Sequence, residues 1–218
     1  MIASSPPGGI DPALVAAWLA ARSVARGLPP PVPDRGGWRV DTDSEKELRR
    51  WVFPGMADGL TELAREISSP RHFLKLCASG EDLRAAVPDR WRLQPASYVM
   101  TAGAATADAL TLPDGYRIES DSVGLTTHVR IYAPEGSLAA SGHAAEAAGV
   151  FIYDRIETAA AHRRRGLGRA LMTALGRARK SPSAPRILVA TEDGRALYSS
   201  LGWSVRSPYS TVTIPPRA

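Results

Sequence analysis

The sequence predicts an α/β (α+β) protein with a mixed, mostly antiparallel sheet flanked by helices, and with additional helices in its N-terminal part. Two observations predict this class. Segments rich in β-branched and aromatic residues recur through the second half of the chain, as is typical of strands. Between the later strands, apolar residues repeat every three or four positions, which indicates amphipathic helices. Turn residues such as Pro134 and Gly136 separate these segments.

The first half shows weaker patterns. Residues 1–10 are dominated by Ser, Pro and Gly and are predicted to be disordered, and residues 11–105 form a helical and mixed region. Asp11 and Pro12 are a typical N-cap and first-turn pair for a helix that ends near Arg26. The proline-rich residues 27–37 are predicted to be a linker. We then expect strands at 38–41, 72–77 and 97–101, and helices at 44–52, 57–67 and 81–86.

The second region, residues 106–218, is easier to interpret. We expect strands at 116–119, 126–132, 138–144, 149–158 and 186–190, with two further strands within 203–214. Helices are expected at 166–180 and 193–201, the second of which ends before Gly202.

The most informative segment is the basic run at the start of the helix predicted at 166–180. Three arginines, Arg163–Arg165, precede Gly166-Leu167-Gly168, and residues 162–180 contain seven Arg or Lys and no acid. A strand followed by a glycine-rich turn and a helix directs free backbone N–H groups toward a phosphate. Arginine adds charge and bidentate donors. The segment therefore predicts a pyrophosphate site.

Two motifs resemble one family. Residues 163–168 are similar to the (Arg/Gln)-x-x-Gly-x-(Gly/Ala) signature of the GNAT superfamily of N-acetyltransferases. Residues 196–203, Ala-Leu-Tyr-Ser-Ser-Leu-Gly-Trp, resemble the Leu-Tyr-x-x-x-Gly-aromatic segment of that family. The resemblance covers roughly residues 116–214. It implies the GNAT fold and direct transfer of an acetyl group from acetyl-CoA to an amine.

The resemblance also implies a cofactor site. The signature loop of the family wraps the pyrophosphate of coenzyme A, and that role carries over to Arg163, Arg164, Arg165, Gly166, Leu167, Gly168 and Arg169. The strand before the helix and the strand after it splay apart in this family, and the pantetheine arm lies in the gap. Main-chain groups of Ile156, Glu157 and Thr158 would pair with that arm.

Two further residues enter through the second motif. Tyr198 stands where the family often has a general acid for the departing thiolate, although a core tyrosine is the alternative. The family usually has an asparagine that contacts the cofactor arm seven residues earlier, where this chain has Thr191, whose hydroxyl would replace that contact only in part.

Direct transfer requires a neutral amine and therefore a base. An amine with a pKa of ~10.4 is neutral about once in 10³ molecules at pH 7, which costs roughly 4–5 kcal/mol. Asp154 and Glu157 are the acids on the strand that should face the cofactor. Strict alternation places them on opposite faces, with Asp154 on the face of Ile156 and Thr158. We favour Asp154 as the base; the alternative is that it pairs with a nearby arginine.

Composition limits the partners and the location. A net charge of +5 suits an anionic ligand, and the single cysteine, Cys77, excludes an intrachain disulfide and fits the cytoplasm. The four histidines have no metal-ligand spacing, so we expect no metal. No signal peptide or long apolar span is recognised, so we expect no membrane partner.

Alternatives remain open at this stage. A dinucleotide site is less well supported, because Leu171 occupies the third glycine position. The basic stretch 162–180 matches no nucleic-acid-binding motif, so we expect no nucleic acid. A GNAT-fold protein that binds acyl-CoA without catalysis, as a sensor or structural partner, is the main competitor. The acceptor is expected to be a small-molecule or peptide amine, and the protein a monomer or homodimer. Whether residues 11–105 are a degenerate GNAT half stays open.

Overall fold

The computed structural model describes residues 10–102 and 109–216. These residues form a single large sheet, a 3-10 turn at Ala160–His162 and five α-helices: α1 (Pro12–Arg26), α2 (Asp58–Glu66), α3 (Gly80–Ala86), α4 (Leu167–Gly176) and α5 (Glu192–Ser200). Within the segment predicted to be disordered, residues 1–9 lie outside the described residues, as do residues 103–108, where the predicted domain boundary falls. Ile10 is buried, and its N–H donates to the carbonyl of Pro54 at 3.0 Å.

The sheet contains twelve strands among the described residues. The first six are β1 (Val32–Asp34), β2 (Gly37–Asp41), β3 (Arg49–Phe53), β4 (His72–Leu76), β5 (Arg92–Leu93) and β6 (Ser97–Ala102). The others are β7 (Arg117–Val123), β8 (Thr126–Tyr132), β9 (Leu138–Ala147), β10 (Val150–Thr158), β11 (Arg186–Thr191) and β12 (Trp203–Thr213). As predicted, most neighbouring strands are antiparallel.

The strand order is β1-β2-β3-β4-β12-β6-β11-β10-β9-β8-β7, and β5 pairs with β12. The same succession occurs on both sides of the central β12–β6 pair. In the first half, α2 connects the parallel strands β3 and β4, and α3 and β6 follow. In the second half, α4 connects the parallel strands β10 and β11, and α5 and β12 follow. Each half therefore places its last strand beside the other half.

The helices divide between the two faces of this sheet. Trp18 and Leu19 of α1 pack against residues such as Ile152 and Ile187 on one face. The adjacent residue Phe151 points the other way, into a core with Leu171 and Leu175 of α4. Similarly, Val52 belongs to the α1 core, whereas Trp51 and Phe53 pack with α2 and α3. The single helix α1 thus covers one face, and α2 to α5 cover the other. No helix in the described ranges is long and apolar enough to span a membrane.

The prediction of a helix at 44–52 was wrong. Arg49–Phe53 is the strand β3, which lies between β2 and β4 and has buried residues on both faces. Its last residues, Trp51, Val52 and Phe53, are buried in the sheet. Tertiary burial overrides weak helix propensity here.

Predictions for two segments that contain proline also need correction. The segment predicted to be a linker at 27–37 contains the short edge strand β1, in which Pro33 is tolerated because one side of an edge strand needs no donor. The two strands predicted within 203–214 are one strand, β12, with a bulge between Val205 and Ser207. Pro208 follows this bulge and does not end the strand.

Candidate functional site

The central feature of the candidate site is the separation of β10 from β11. These parallel strands are paired at only two positions, Phe151 with Arg186 and Ile152 with Ile187. Beyond Ile152, β10 continues to Thr158 in contact with β9, while β11 continues to Thr191 in contact with β6. As predicted, the two strands part, and from residue 153 onward no strand among the described residues pairs with the β10 edge that faces β11. Unpaired backbone groups at such an edge require another partner.

The basic loop lies between the end of β10 and the start of α4. Arg163, Arg164, Arg165 and Gly166 are all exposed. The Nε of Arg163 donates to the carbonyl of Thr158 at 3.3 Å, which ties the loop to the end of β10. Gly166 has φ +81°, a left-handed conformation that favours glycine, and apart from its neighbours along the chain no described atom lies within 4 Å of the position a Cβ would take. The first turn of α4 contains no acid. This helix N-terminus is therefore open and electropositive, as an anion site requires.

The second glycine of the loop has a packing role. A Cβ built on Gly168 would lie 2.8 Å from Cδ2 of Leu197 in α5. Glycine at this position lets the start of α4 approach α5 closely. Leu167 beside it is buried, and Arg169 is exposed on the first turn of α4.

Contacts of His162 position the loop from behind. The hydroxyl of Tyr116 and Nδ1 of His162 lie 2.9 Å apart, and their rings meet edge to face. Oε1 of Glu135 lies 3.7 Å from Nε2 of His162. The pKa of Glu135 is lowered, first by a hydrogen bond from Ser137 and further by the charges of His162 and Arg165. Sequence reasoning did not identify Tyr116 or Glu135, which lie far from the loop along the chain.

A bulge in β10 changes which side chains share a face. Arg155 has φ +52°, and the pairing with β9 shifts between Asp154, opposite His143, and Glu157, opposite Ser141. Because His143 and Ser141 are two residues apart, Asp154 and Glu157 lie on the same face of the sheet. Ile156 packs on the opposite face, against the core that includes α4, and Thr158, opposite Ala140 of that core, follows it. The predicted alternation was therefore wrong for both acids.

The side chain of Asp154 is held by two arginines of α1. Nε and Nη2 of Arg26 lie 2.5 and 2.8 Å from its carboxylate oxygens, and Nε of Arg22 lies at 3.4 Å. Only 10% of the Asp154 side chain is exposed. Burial alone would raise the pKa of this carboxyl, but the Arg26 hydrogen bonds and the two positive charges lower it to about 2. The structure thus shows the second interpretation of Asp154, pairing with a nearby arginine, and a carboxylate with so low a pKa is a weak base.

Tyr198 and Thr191 lie on or next to α5. Tyr198 is 6% exposed and packs near Trp203, with ring centroids 6.2 Å apart. Its hydroxyl has no hydrogen-bond partner among the described residues, and burial raises its pKa to about 12. Thr191 ends β11, and its hydroxyl accepts the N–H of Gly194 at 3.2 Å, so this side chain caps α5. The cap still leaves the hydroxyl proton available for donation.

The described residues give little support to metal-dependent or cysteine-based chemistry. In residues 10–102 and 109–216, no group of three or more His, Cys, Asp or Glu side chains could hold a metal ion. Cys77 is buried, and burial raises the pKa of its thiol to about 12, which disfavours the reactive thiolate.

Comparisons with known proteins identify the fold. The chain matches no known family profile and no curated protein. Solved structures do match, and one is a GCN5-related N-acetyltransferase from Kribbella flavida, with a TM-score of 0.63 and 15% identity over 93% of this chain and 96% of that chain. Another, a GCN5-related N-acetyltransferase from Sphaerobacter thermophilus, gives a TM-score of 0.58 and 13% identity over 97% of this chain and 96% of that chain.

A third match has a tandem arrangement. It is a tandem GNAT protein from the clavulanic acid biosynthesis pathway, with a TM-score of 0.52 and 14% identity over 94% of this chain and 96% of that chain. These similar structures define the class of protein, a mixed α/β fold in which a large sheet is flanked by helices. More specifically, the chain has the fold of the GCN5-related N-acetyltransferases. At these identities the likeness establishes the fold, and the activity has to be argued from the site.

Proposed function

We propose that this protein is an acyltransferase that moves the acetyl group of acetyl-CoA to an amine by direct transfer. One observation carries the proposal: β10 and β11 part directly beside the open, arginine-flanked start of α4. Such a site offers a slot with unpaired backbone groups and, next to it, an electropositive helix N-terminus. Few ligands have groups for both the slot and the helix N-terminus. A diphosphate joined to an arm that carries amide groups is one that does.

The residues of the loop fit the diphosphate of coenzyme A. The exposed guanidinium groups of Arg163, Arg164 and Arg165 supply charge, and Arg169 lies on the adjoining turn of α4. Backbone N–H groups from Gly166 to Gly168 would donate to phosphate oxygens. The free β10 edge at Ile156, Glu157 and Thr158 would pair with the pantetheine amides, and the Thr191 hydroxyl would donate from the other side of the gap. When bound, the cofactor supplies an activated thioester.

Tyr198 is proposed to stabilise the leaving thiolate as a hydrogen-bond donor. Its pKa of about 12 makes full proton transfer to a thiolate of pKa ~8.5 unfavourable by about 5 kcal/mol. A hydrogen bond from the buried hydroxyl still favours the developing negative charge, because the surroundings are poorly solvated.

Glu157 replaces Asp154 as the proposed base. Asp154 is occupied by Arg22 and Arg26, whereas Glu157 is exposed and lies on the same face of β10. Its carboxylate, directly or through a water molecule, would accept the proton that the acceptor amine must lose. The acceptor is proposed to be a small-molecule or peptide amine, and the protein a cytoplasmic monomer or homodimer.

The first half is proposed to be a degenerate copy of the GNAT half. Its order β3-α2-β4-α3-β6 repeats that of β10-α4-β11-α5-β12, and the two last strands are exchanged at the centre of the sheet. The proposed boundary between the copies lies near residue 105.

The arginine pairing of Asp154 favours a second candidate function. Asp154 was the favoured base, and its fixed ion pair with Arg26 takes it out of that role. A GNAT-fold protein that binds acyl-CoA as a sensor or structural partner would need only the loop and the slot. Release of free thiol from acetyl-CoA on addition of a panel of amines distinguishes the enzyme, which releases it, from the sensor.

Calorimetric titration with coenzyme A and acetyl-CoA tests the site. Replacing both Arg164 and Arg165 with Gln should weaken binding at least tenfold, because two exposed charges near the diphosphate are lost. Arg177→Gln removes an exposed arginine at the other end of α4 and should leave the affinity within about twofold. Equal affinity of the double variant and the wild type would refute the loop assignment.

A further inference from the structure

A small cavity lies on the α1 face of the sheet, away from the basic loop. It is lined by Arg22, Ser23 and Arg26 of α1 and by Val40 and Arg50 of β2 and β3. The cavity is open to solvent on one side and has room for about one water-sized group, such as one oxygen atom of a carboxylate or phosphate. Arg50 is buried, with 7% of its side chain exposed, while Arg22 and Arg26 are 16% and 18% exposed and keep the site reachable from solvent.

Positive charge around this cavity exceeds negative charge. Arg22, Arg26 and Arg50 are joined by Lys75 of β4, whose Nζ lies 3.3 Å from Oγ1 of Thr211. Two acids face these four cations: Asp154 pairs with Arg22 and Arg26, and Glu47 pairs with Arg50. With Lys75 protonated, the group carries two unbalanced positive charges in a largely buried setting. Such an excess is costly unless an anion accompanies it.

Buried donors without partners lie in the same group. Nη1 of Arg22 and the hydroxyl of Tyr209 are fully buried and have no hydrogen-bond partner among the described residues. Burial and the charge of Arg26 lower the pKa of Arg22 to about 10. Burial and the charges of Arg22 and Arg50 lower the pKa of Lys75 to about 7. Unused donors and destabilised cations both indicate a missing acceptor.

We propose that this cavity is a binding site for one small anionic group of the carboxylate or phosphate class, held by Arg22, Arg26 and Arg50. The group has two possible sources, a free anion or an acidic substituent of the acceptor amine. The second source connects the site to the proposed function through Arg26. This side chain lines the cavity and binds Asp154, which lies two residues after Ile152, the last residue of β10 that pairs with β11. The anion site itself does not depend on catalysis.

Thermal unfolding of the full chain tests the site without any activity measurement. Sodium acetate and sodium phosphate are the probes, added at constant ionic strength in place of sodium chloride. We expect a saturable rise in Tm with either probe. Arg22→Gln should raise the half-saturating concentration at least tenfold, and Ser23→Val, which fills the space without changing charge, should abolish the response.

A matched control and two contrary results make this test decisive. Arg117→Gln removes an exposed arginine on β7 and should keep the wild-type response. A Tm that is insensitive to both probes, or a rise that persists in Ser23→Val, would overturn the proposal. Ser23→Val also covers the case in which Arg22→Gln fails to fold.

Acetylation kinetics then assign the source. Glycine and ethanolamine, which lacks the carboxylate but has an amine of similar pKa, are offered as acceptors to the wild type and to Arg22→Gln. A KM at least tenfold lower for glycine, lost in the variant, identifies the acceptor's carboxylate as the anion. Equal KM values together with a saturable Tm response identify a free anion. Absence of turnover with any amine would count against the proposed function, while the Tm response alone would still decide the anion site.

Discussion

The two halves of the sheet contain the same succession of elements but treat the gap between their parallel strands in opposite ways. In the first half, β3 and β4 are paired at five consecutive positions, from Arg49–His72 to Phe53–Leu76. In the second half, β10 and β11 are paired at two positions and then part. The first half is closed along its length, and only the second leaves a slot.

The helix that follows the first parallel strand also differs between the halves, because its start is covered in the first half and open in the second. Asp58 lies in the first turn of α2, and the backbone of Arg35 covers that turn so closely that a Cβ on Gly59 would lie 2.1 Å from the Arg35 carbonyl oxygen. The start of α4 has no acid and open space beside Gly166. One fold thus uses a helix N-terminus once for internal packing and leaves it exposed once, at the proposed anion site. The difference lies in the loop and in strand pairing, while the topology is shared.

The largest effect is expected for the acid that anchors the open half to α1. Asp154→Asn should lower the free energy of unfolding by about 2–4 kcal/mol, because Arg22 and Arg26 lose their buried partner. Asp41→Asn in the closed half removes the partner of Arg49 at a more exposed position and should cost less than about 1 kcal/mol. Urea unfolding at pH 7 measures both.

The pH dependence of that difference has a defined sign. The pKa of Asp154 is lowered in the folded protein, so its stabilising contribution is complete above pH ~4 and is lost as pH falls toward 2. The wild type and Asp154→Asn should therefore converge in stability over that range. Similar losses in the two Asp variants at pH 7 would show that the ion pair adds little.

A pair of glycine substitutions should separate the roles of the two helix starts. Gly59→Ala should destabilise the protein by about 2–3 kcal/mol, because the new Cβ meets the Arg35 backbone, and it should leave coenzyme A affinity unchanged. Gly166→Ala should cost only about 1 kcal/mol of stability, from its positive φ, but should weaken coenzyme A binding. Chemical denaturation and calorimetry on both variants supply the four values. Weaker binding in Gly59→Ala would contradict the assignment of a single open site.

The smallest effect is expected at the buried position of the helix that follows the second parallel strand in each half. In α3 of the closed half this residue is Leu83, whereas in α5 it is Tyr198. Tyr198→Phe should lower kcat about tenfold and leave the cofactor affinity and Tm nearly unchanged, because only a hydroxyl without a protein partner is removed. Steady-state kinetics, with calorimetry as the control, measure this. A wild-type kcat would remove Tyr198 from the mechanism.

Much of the second half was predictable because its patterns are local. The strand predicted at 126–132 is β8, and the predicted helices at 166–180 and 193–201 correspond to α4 and α5. The arginine and glycine pattern also indicated the start of α4. These signals depend on periodicity and turn residues within short windows, which a single sequence displays directly.

The features that the sequence did not predict depend on contacts between residues that are distant in the sequence. The ion pair of Asp154 with Arg26 joins residues 128 positions apart, and no local pattern reveals it. The bulge at Arg155 places a residue other than glycine at positive φ, so strict alternation gave the wrong faces for Asp154 and Glu157. The segment 44–52 was predicted to be a helix, but its residues Arg49–Phe53 form an inner strand of the sheet. In each case tertiary context outweighed local preference.

The position of β12 has a consequence for how the protein is made. This strand ends at Thr213 yet lies between β4 and β6 in the middle of the sheet. During synthesis, those two strands emerge from the ribosome long before their shared neighbour, and each carries an edge with unsatisfied hydrogen-bonding groups. The nascent chain therefore exposes both of these strand edges until β12 has been synthesised and pairs with them.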